Sequence, residues 1–213
     1  MLTVALISRK GGAGKTTLAC GLAVAGEREG LATALVDLDP QGSASAWANL
    51  RVADTPAVIS GYAEQLPALL TAARNAGAEL AIIDTAPHST DAALVAARAA
   101  DLVLIPCRAS VADLHAISTS IEITRQARTA AAVILNAAPV QGPLVVQART
   151  AIAGYEVEIV PVVLHHRIAH VHAFTDGLTA PELTRSSKAG TELAAVFRWV
   201  HNKGLSLNGQ IQS

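Results

Sequence analysis

Aromatic residues are nearly missing from this 213-residue chain: two Trp, two Tyr and two Phe, 3% in all. Half of the residues (51%) are nonetheless apolar, so Ala, Val, Leu and Ile must build the interior. Alanine-rich helices against Val/Ile strands are the usual composition of an open α/β sheet. Long apolar runs are also lacking; none reaches the roughly 18–20 residues that span a bilayer. The opening "MLTVALISRKGG" lacks the basic n-region of a signal peptide, and its apolar run ends in a glycine loop. These absences point to a soluble, cytoplasmic protein, and the length suits one domain with a sizeable core. Cysteine is scarce. Cys20 and Cys107 have no Cys or His partner at metal-site spacing, and both read as buried thiols. Charge of one sign is lacking too, with a formal net charge of −1. No global field attracts nucleic acid, so any such binding must come from a local patch.

What is present is an alternation. Apolar β-type runs at 2–8, 32–38, 80–85, 102–106, 131–136 and 156–161 read as strands. Most are continuously apolar, as expected of strands covered on both faces. Helices are expected near 15–29, 63–76, 89–99, 111–128 and 143–153. This order predicts an α/β fold: a single P-loop domain with a mostly parallel twisted sheet flanked by helices. Beyond Pro161 five of the seven histidines gather. Helices are expected near 166–174 and 188–202, with the domain over 1–203 and a frayed, flexible tail at 204–213.

"SRKGGAGKTT" (8–17) follows the first strand and opens the first helix, the context a phosphate loop needs. Gly11, Gly12, Ala13 and Gly14 let backbone N–H groups turn inward, and the helix N-terminus adds partial positive charge. Lys15 would reach the β- and γ-phosphates and the Thr16 hydroxyl would ligate Mg²⁺. The strict G-x-x-x-x-G-K-[ST] pattern fails, because Arg9 stands where its first glycine belongs. "LVDLDPQ" sets Asp37 and Asp39 at the end of the second strand, where carboxylates can hold metal-bound water or orient an attacking water. "LAIIDTAP" gives Asp84 the form of a Walker B aspartate. Asn136 ends the run "AVILN", where an amide can pair with a purine edge.

The loop carries two lysines, Lys10 and Lys15, although one is enough to hold a phosphate. Two ammonium groups so close are costly unless a triphosphate neutralises both. Taken in order, K-G-G-A-G-K-T-T, D-L-D-P-Q, I-I-D-T-A-P, A-D-L-V-L-I-P and V-P-V-V-L-H-H-R…A-F…G-L-T resemble the ParA group of deviant-Walker ATPases, over residues 2 to about 190. The chain looks like the small plasmid-type members. The resemblance implies a weak ATPase acting as a switch, with ATP and Mg²⁺ as cofactors. It implies that Lys10 reaches the phosphates bound by a partner subunit in an ATP sandwich homodimer. Lys15, Thr16 and Thr17 resemble the phosphate and Mg²⁺ ligands, Asp39 the residue needed for hydrolysis, and Asp37 and Asp84 the metal site. Asn136 with the backbone around Pro161–Val162 resembles the adenine pocket. Position 86 is Ala where proline is common, and His88 follows in the switch-like loop.

The same resemblance implies nonspecific binding of double-stranded DNA by the ATP dimer, a nucleoid-associated location, and release by a ParB-like or ParG-like centromere-binding partner that stimulates hydrolysis. Candidate DNA contacts are Arg167, Arg185, Lys188, Arg198 and Lys203. DNA partition is therefore the first expectation. A MinD-like membrane-positioning ATPase, or a ParA-like ATPase that positions a protein cargo, is the alternative. The membrane version is disfavoured because the last ten residues carry no charge and little apolar bulk. His166 and His170 are one helical turn apart, but no third ligand makes them a metal site.

Overall fold

The computed structural model describes residues 1–184 and 187–211. The chain alternates strands and helices: β1 (Leu2–Leu6), α1 (Lys15–Arg28), β2 (Thr33–Asp37), α2 (Ser43–Asn49), β3 (Ala57–Ser60), α3 (Leu66–Asn75), β4 (Leu80–Asp84), α4 (Thr90–Ala99), β5 (Leu102–Cys107), α5 (Val111–Ala127), β6 (Ala130–Leu135), α6 (Leu144–Ala153), β7 (Glu158–Ile159), α7 (Ile168–Thr175), α8 (Ala180–Leu183) and α9 (Lys188–Ile211). All seven strands are parallel, in the order β3-β2-β4-β1-β5-β6-β7. The α/β P-loop architecture expected from the alternation is the one observed.

The continuous apolar runs of β1, β2, β4 and β5 are buried throughout, because helices cover both sides. On one face Val4, Leu6, Leu35 and Ile82 pack with α1, with Trp47 of α2, and with Leu193, Val196 and Phe197 of α9. On the other, Ala5, Ile7, Val36 and Ile83 pack with α3 to α6. Small alanines on α1 (Ala19, Ala23) and α4 (Ala93, Ala96, Ala97) are buried in these layers, which lets the helices sit close to the sheet without aromatic bulk.

Three short elements, α2, β3 and α8, are unmarked in the sequence pattern. α2 and the edge strand β3 follow the "DLDPQ" stretch, and β3 is only four residues long and partly exposed. The larger correction concerns the C-terminus. The segment from 204, expected to be a flexible tail, continues α9 as helix to Ile211. Gly204 makes this possible: a Cβ there would collide with the Leu2 side chain. One turn later Leu207 packs against the core. The helix is held by tertiary packing, not by propensity. Among the described residues no helix is long and apolar enough to cross a membrane.

Register sets up the site. Asp84 is level with Leu6 of β1 and with Asp37 of β2, so three strand ends converge where β1 is flanked by β4 and β5. A crevice at the carboxyl ends of strands is where open α/β sheets bind ligands.

Candidate nucleotide site

The phosphate loop joins β1 to α1. Gly14, the residue before the helix, has φ +87, and a Cβ there would strike the Asn136 amide. Only glycine meets both demands. No side chain caps the first turn of α1, and no acidic residue lies in it. Its free amide donors and positive dipole end are thus left for an anion.

Lys15 opens α1 and is buried, its Nζ donating to the Ser8 carbonyl at 3.2 Å. Burial lowers its pKa, and the Asp84 and Asp39 carboxylates oppose that shift. Asp84 is fully buried, and neither of its oxygens has a hydrogen-bond donor. Burial pushes its carboxyl up to about 7, with the nearby Thr16 hydroxyl pulling the other way and Asp37 adding to the rise. A buried carboxylate with no donor is costly by itself. It fits a divalent cation beside Thr16, and these two residues would hold Mg²⁺, which supplies charge neutralisation for the phosphates. Among the described residues no group of three or more His, Cys, Asp or Glu could hold a metal. The phosphates must complete such a site.

Asp37 is differently engaged. One oxygen accepts from Ser45 N at 2.9 Å and Ser45 Oγ at 2.8 Å, the other from Asp39 N at 3.1 Å. It ties α2 to the end of β2, and its lone pairs are far less free for metal than those of Asp84. Asp39 lines the phosphate cavity with Gly12, Gly14, Lys15, Thr16, Thr17, Ser43, Pro87 and Phe174. It accepts from Gln41 N at 3.0 Å, which leaves its second oxygen available to a water.

Lys10 lines neither this cavity nor its neighbour. Its Nζ lies 2.7 Å from Asp113 Oδ2, with the lysine side chain 38% exposed and the aspartate 5%. Asp113 also accepts the hydroxyl of Ser110, the residue that caps α5. Asp113 was not singled out from the sequence, although S-x-x-D before an apolar helix is a legible capping signal.

The second cavity, about 170 Å³, adjoins the first and runs from Gly14 and Thr17 past Asn136. Asn136 Nδ2 donates to the Ala13 carbonyl at 2.8 Å. Pro161 and Val162, expected here, are elsewhere. The Pro161 carbonyl accepts from Arg149 Nη2 at 2.7 Å, and Val162 packs on the core. Because β7 is only two residues long, the chain rejoins the sheet later: Ala138 N donates to Leu164 O and His166 N to Ala138 O. Leu164 to Arg167 therefore line this cavity, as does Arg108. His166 precedes α7, so His166 and His170 do not share a helix as expected. Burial lowers the His170 pKa below its ordinary value, with the Glu192 carboxylate opposing that shift.

The basic candidates for DNA contact are spread out. Arg167 Nη2 meets Glu192 Oε1 at 2.5 Å, and Lys203 Nζ meets Glu158 at 2.7 Å. Arg198 lines a groove with Arg28 and Glu29, by the C-terminal end of α1 and about 20 Å along that helix from the nucleotide end. Lys188 opens α9. Arg185 lies outside the described residues.

The family model for the CobQ/CobB/MinD/ParA nucleotide binding domain matches residues 4–157. The chain belongs to this family. Its nucleotide-binding and ATPase apparatus is that of the ParA/MinD group. Maintenance of carboxysome distribution protein A from Gloeobacter kilaueensis is 42% identical over 115 residues, which cover 52% of this chain and 51% of that protein. The match thus spans about half the length of that relative. The protein of the same name from Halothiobacillus neapolitanus is 27% identical over 210 residues, 93% of this chain and 95% of that protein. The solved ATP complex of a Cyanothece McdA variant superposes with a TM-score of 0.75 at 20% identity, over 97% of this chain and 96% of that one. At that identity the likeness speaks for the fold.

Proposed function

We propose that this protein is an ATP-driven positioning switch that distributes a protein cargo, by cycling between an ADP-bound or free monomer and an ATP sandwich dimer that holds DNA without sequence preference. The observation that carries the switch is the pair of lysines. Lys15 is buried in the phosphate cavity, while Lys10 points out of it and rests on Asp113. In this reading Lys10 leaves Asp113 and neutralises phosphate in the second subunit, so ATP holds the dimer together and its loss releases it. A protein cargo is preferred because both relatives above are named for carboxysome distribution. The ordered ParA motifs keep partition of DNA as the second reading, and a ParB-like or ParG-like partner belongs to that one. In the cargo reading an equivalent cargo-bound protein stimulates hydrolysis.

Light scattering with Mg²⁺ and ADP, ATP or a slowly hydrolysed ATP analogue tests the switch, with random duplex or anionic vesicles added. The expected result is a monomer with ADP and a dimer with the analogue, and only the dimer binding duplex. No nucleotide-dependent change of size would sink the reading, and capture by vesicles instead of duplex would move it to the membrane class. Lys10→Ala is expected to keep ATP affinity within about threefold while weakening the dimer by at least about tenfold; equal loss of both would place Lys10 in its own subunit's site. Asp39→Ala is expected to slow hydrolysis by roughly a hundredfold and prolong the DNA-bound dimer, and rapid turnover by this variant would remove Asp39 from the reaction. The cargo is read in cells of the source organism lacking the protein: clumped protein bodies support the first reading, plasmid loss the second.

A further inference from the structure

Arg9 occupies the one position at which this phosphate loop departs from the strict glycine pattern. Its Nη1 donates to the His88 carbonyl at 2.5 Å and to Thr90 Oγ1 at 2.8 Å. Its own backbone N–H is anchored to Ser120 Oγ of α5 at 3.4 Å. The segment it grips, 85–89, runs from the buried Asp84 at the end of β4 to the start of α4. Pro87 in this segment lines the phosphate cavity. At its root the segment is pinned by Thr85 Oγ1, which donates to the Leu6 carbonyl at 2.7 Å. At its tip His88 has φ +71, a conformation rarely adopted by residues with a Cβ. A residue held there needs something that over-determines it. The atom Arg9 captures is the carbonyl of that same residue, and a charged donor makes the bond a strong one.

We infer that Arg9 is a positioning residue for ATP hydrolysis: by holding His88 in its left-handed conformation, it fixes the 85–89 segment, and Pro87 with it, against the phosphate cavity. A glycine at position 9, as in the strict pattern, has no side chain to reach this segment. Arg9 lines neither cavity, so its effect is on turnover and not on the affinity for ATP. The inference rests on the reading of this site as an ATPase.

The test uses the full chain with Mg²⁺ and ATP. Arg9→Ala is expected to raise amide hydrogen exchange across 85–90 and lower kcat about tenfold, with the Kd for ATP held within about threefold. The deciding variant is Arg9→Ala combined with His88→Gly. Glycine takes φ +71 without a tether, so the second change is expected to restore at least about half of the lost kcat. Unchanged exchange and unchanged kcat in Arg9→Ala would overturn the inference. So would a loss of kcat that His88→Gly leaves in place while the Kd rises in parallel, since that pattern marks Arg9 as a direct phosphate ligand. If the wild-type chain shows no turnover, the ATPase reading falls. The exchange difference alone then decides the hold on His88, and no difference overturns it.

Discussion

Lys15→Ala is expected to raise the Kd for ATP by at least about a hundredfold, the equivalent of roughly 3 kcal/mol. Among the residues that line the phosphate cavity, Lys15 is the only cation. Lys10 cannot stand in for it within the same subunit while it is paired with Asp113 at 2.7 Å. What remains after the substitution is the set of backbone amides at the start of α1, which bind anions but bring only partial charge. A second effect adds to the first. Lys15 is one of the groups that hold the Asp84 carboxyl down against burial. Without it the carboxyl is harder to ionise, and the anion that would hold Mg²⁺ is less available at neutral pH. Removing one member of a buried charged group typically costs 3–5 kcal/mol, so the expected loss is a lower figure that leaves room for the amides. Titration with a fluorescent ATP analogue at fixed Mg²⁺ measures it. A Kd within about threefold of wild type would contradict the assignment of Lys15 to the phosphates.

Much of this site could be read from the chain because it depends on short segments. Strand, glycine loop and helix are contiguous from 2 to 28, and a loop of that composition at such a junction has few other uses. Asp84 follows four apolar residues and Asn136 ends another apolar run; sheet order brings both strand ends beside the loop. What could not be read depends on distant pairings. Lys10 finds its partner 103 residues later, and the basic residues Arg167 and Lys203 find acidic ones on other elements. Arg9 stood out as a departure from a pattern, but the carbonyl it holds lies 79 residues away. The wall of the second cavity falls a few residues after Pro161 and Val162 because β7 is shorter than its apolar run. The C-terminal helix was cut short because Gly204, a poor helix former, is there to let α9 approach Leu2. A packing reason of that kind leaves no local trace.

Asp84→Asn is expected to invert the stability order of the protein with and without nucleotide. Burial raises the Asp84 carboxyl to about 7, against an ordinary value near 4. Between these limits the folded protein keeps a proton that the unfolded chain has lost. The sign follows: the contribution is fully present below about pH 4, falls by about 1.4 kcal/mol per pH unit as pH rises, and is gone above about pH 7. Wild-type protein without nucleotide should therefore lose stability from pH 5 to pH 8. Asparagine has the same shape and no charge to bury, so its contribution is flat. At pH 8 the variant without nucleotide is expected to melt at least about 5 °C higher, since 1 kcal/mol is worth roughly 2–4 °C in a domain of this size. Adding ATP and Mg²⁺ should reverse the order. The wild-type protein gains the binding free energy of the pair, while the variant has removed the buried anion next to Thr16 and gains little. A thermal scan at pH 5 and pH 8, with and without ATP and Mg²⁺, reads all of these comparisons together. A wild-type melting temperature that stays level from pH 5 to pH 8, matched by the variant throughout, would mean that Asp84 is not a strained carboxyl awaiting a cation. The order reversing only when Mg²⁺ is present, and not with ATP alone, would place the ion itself on Asp84.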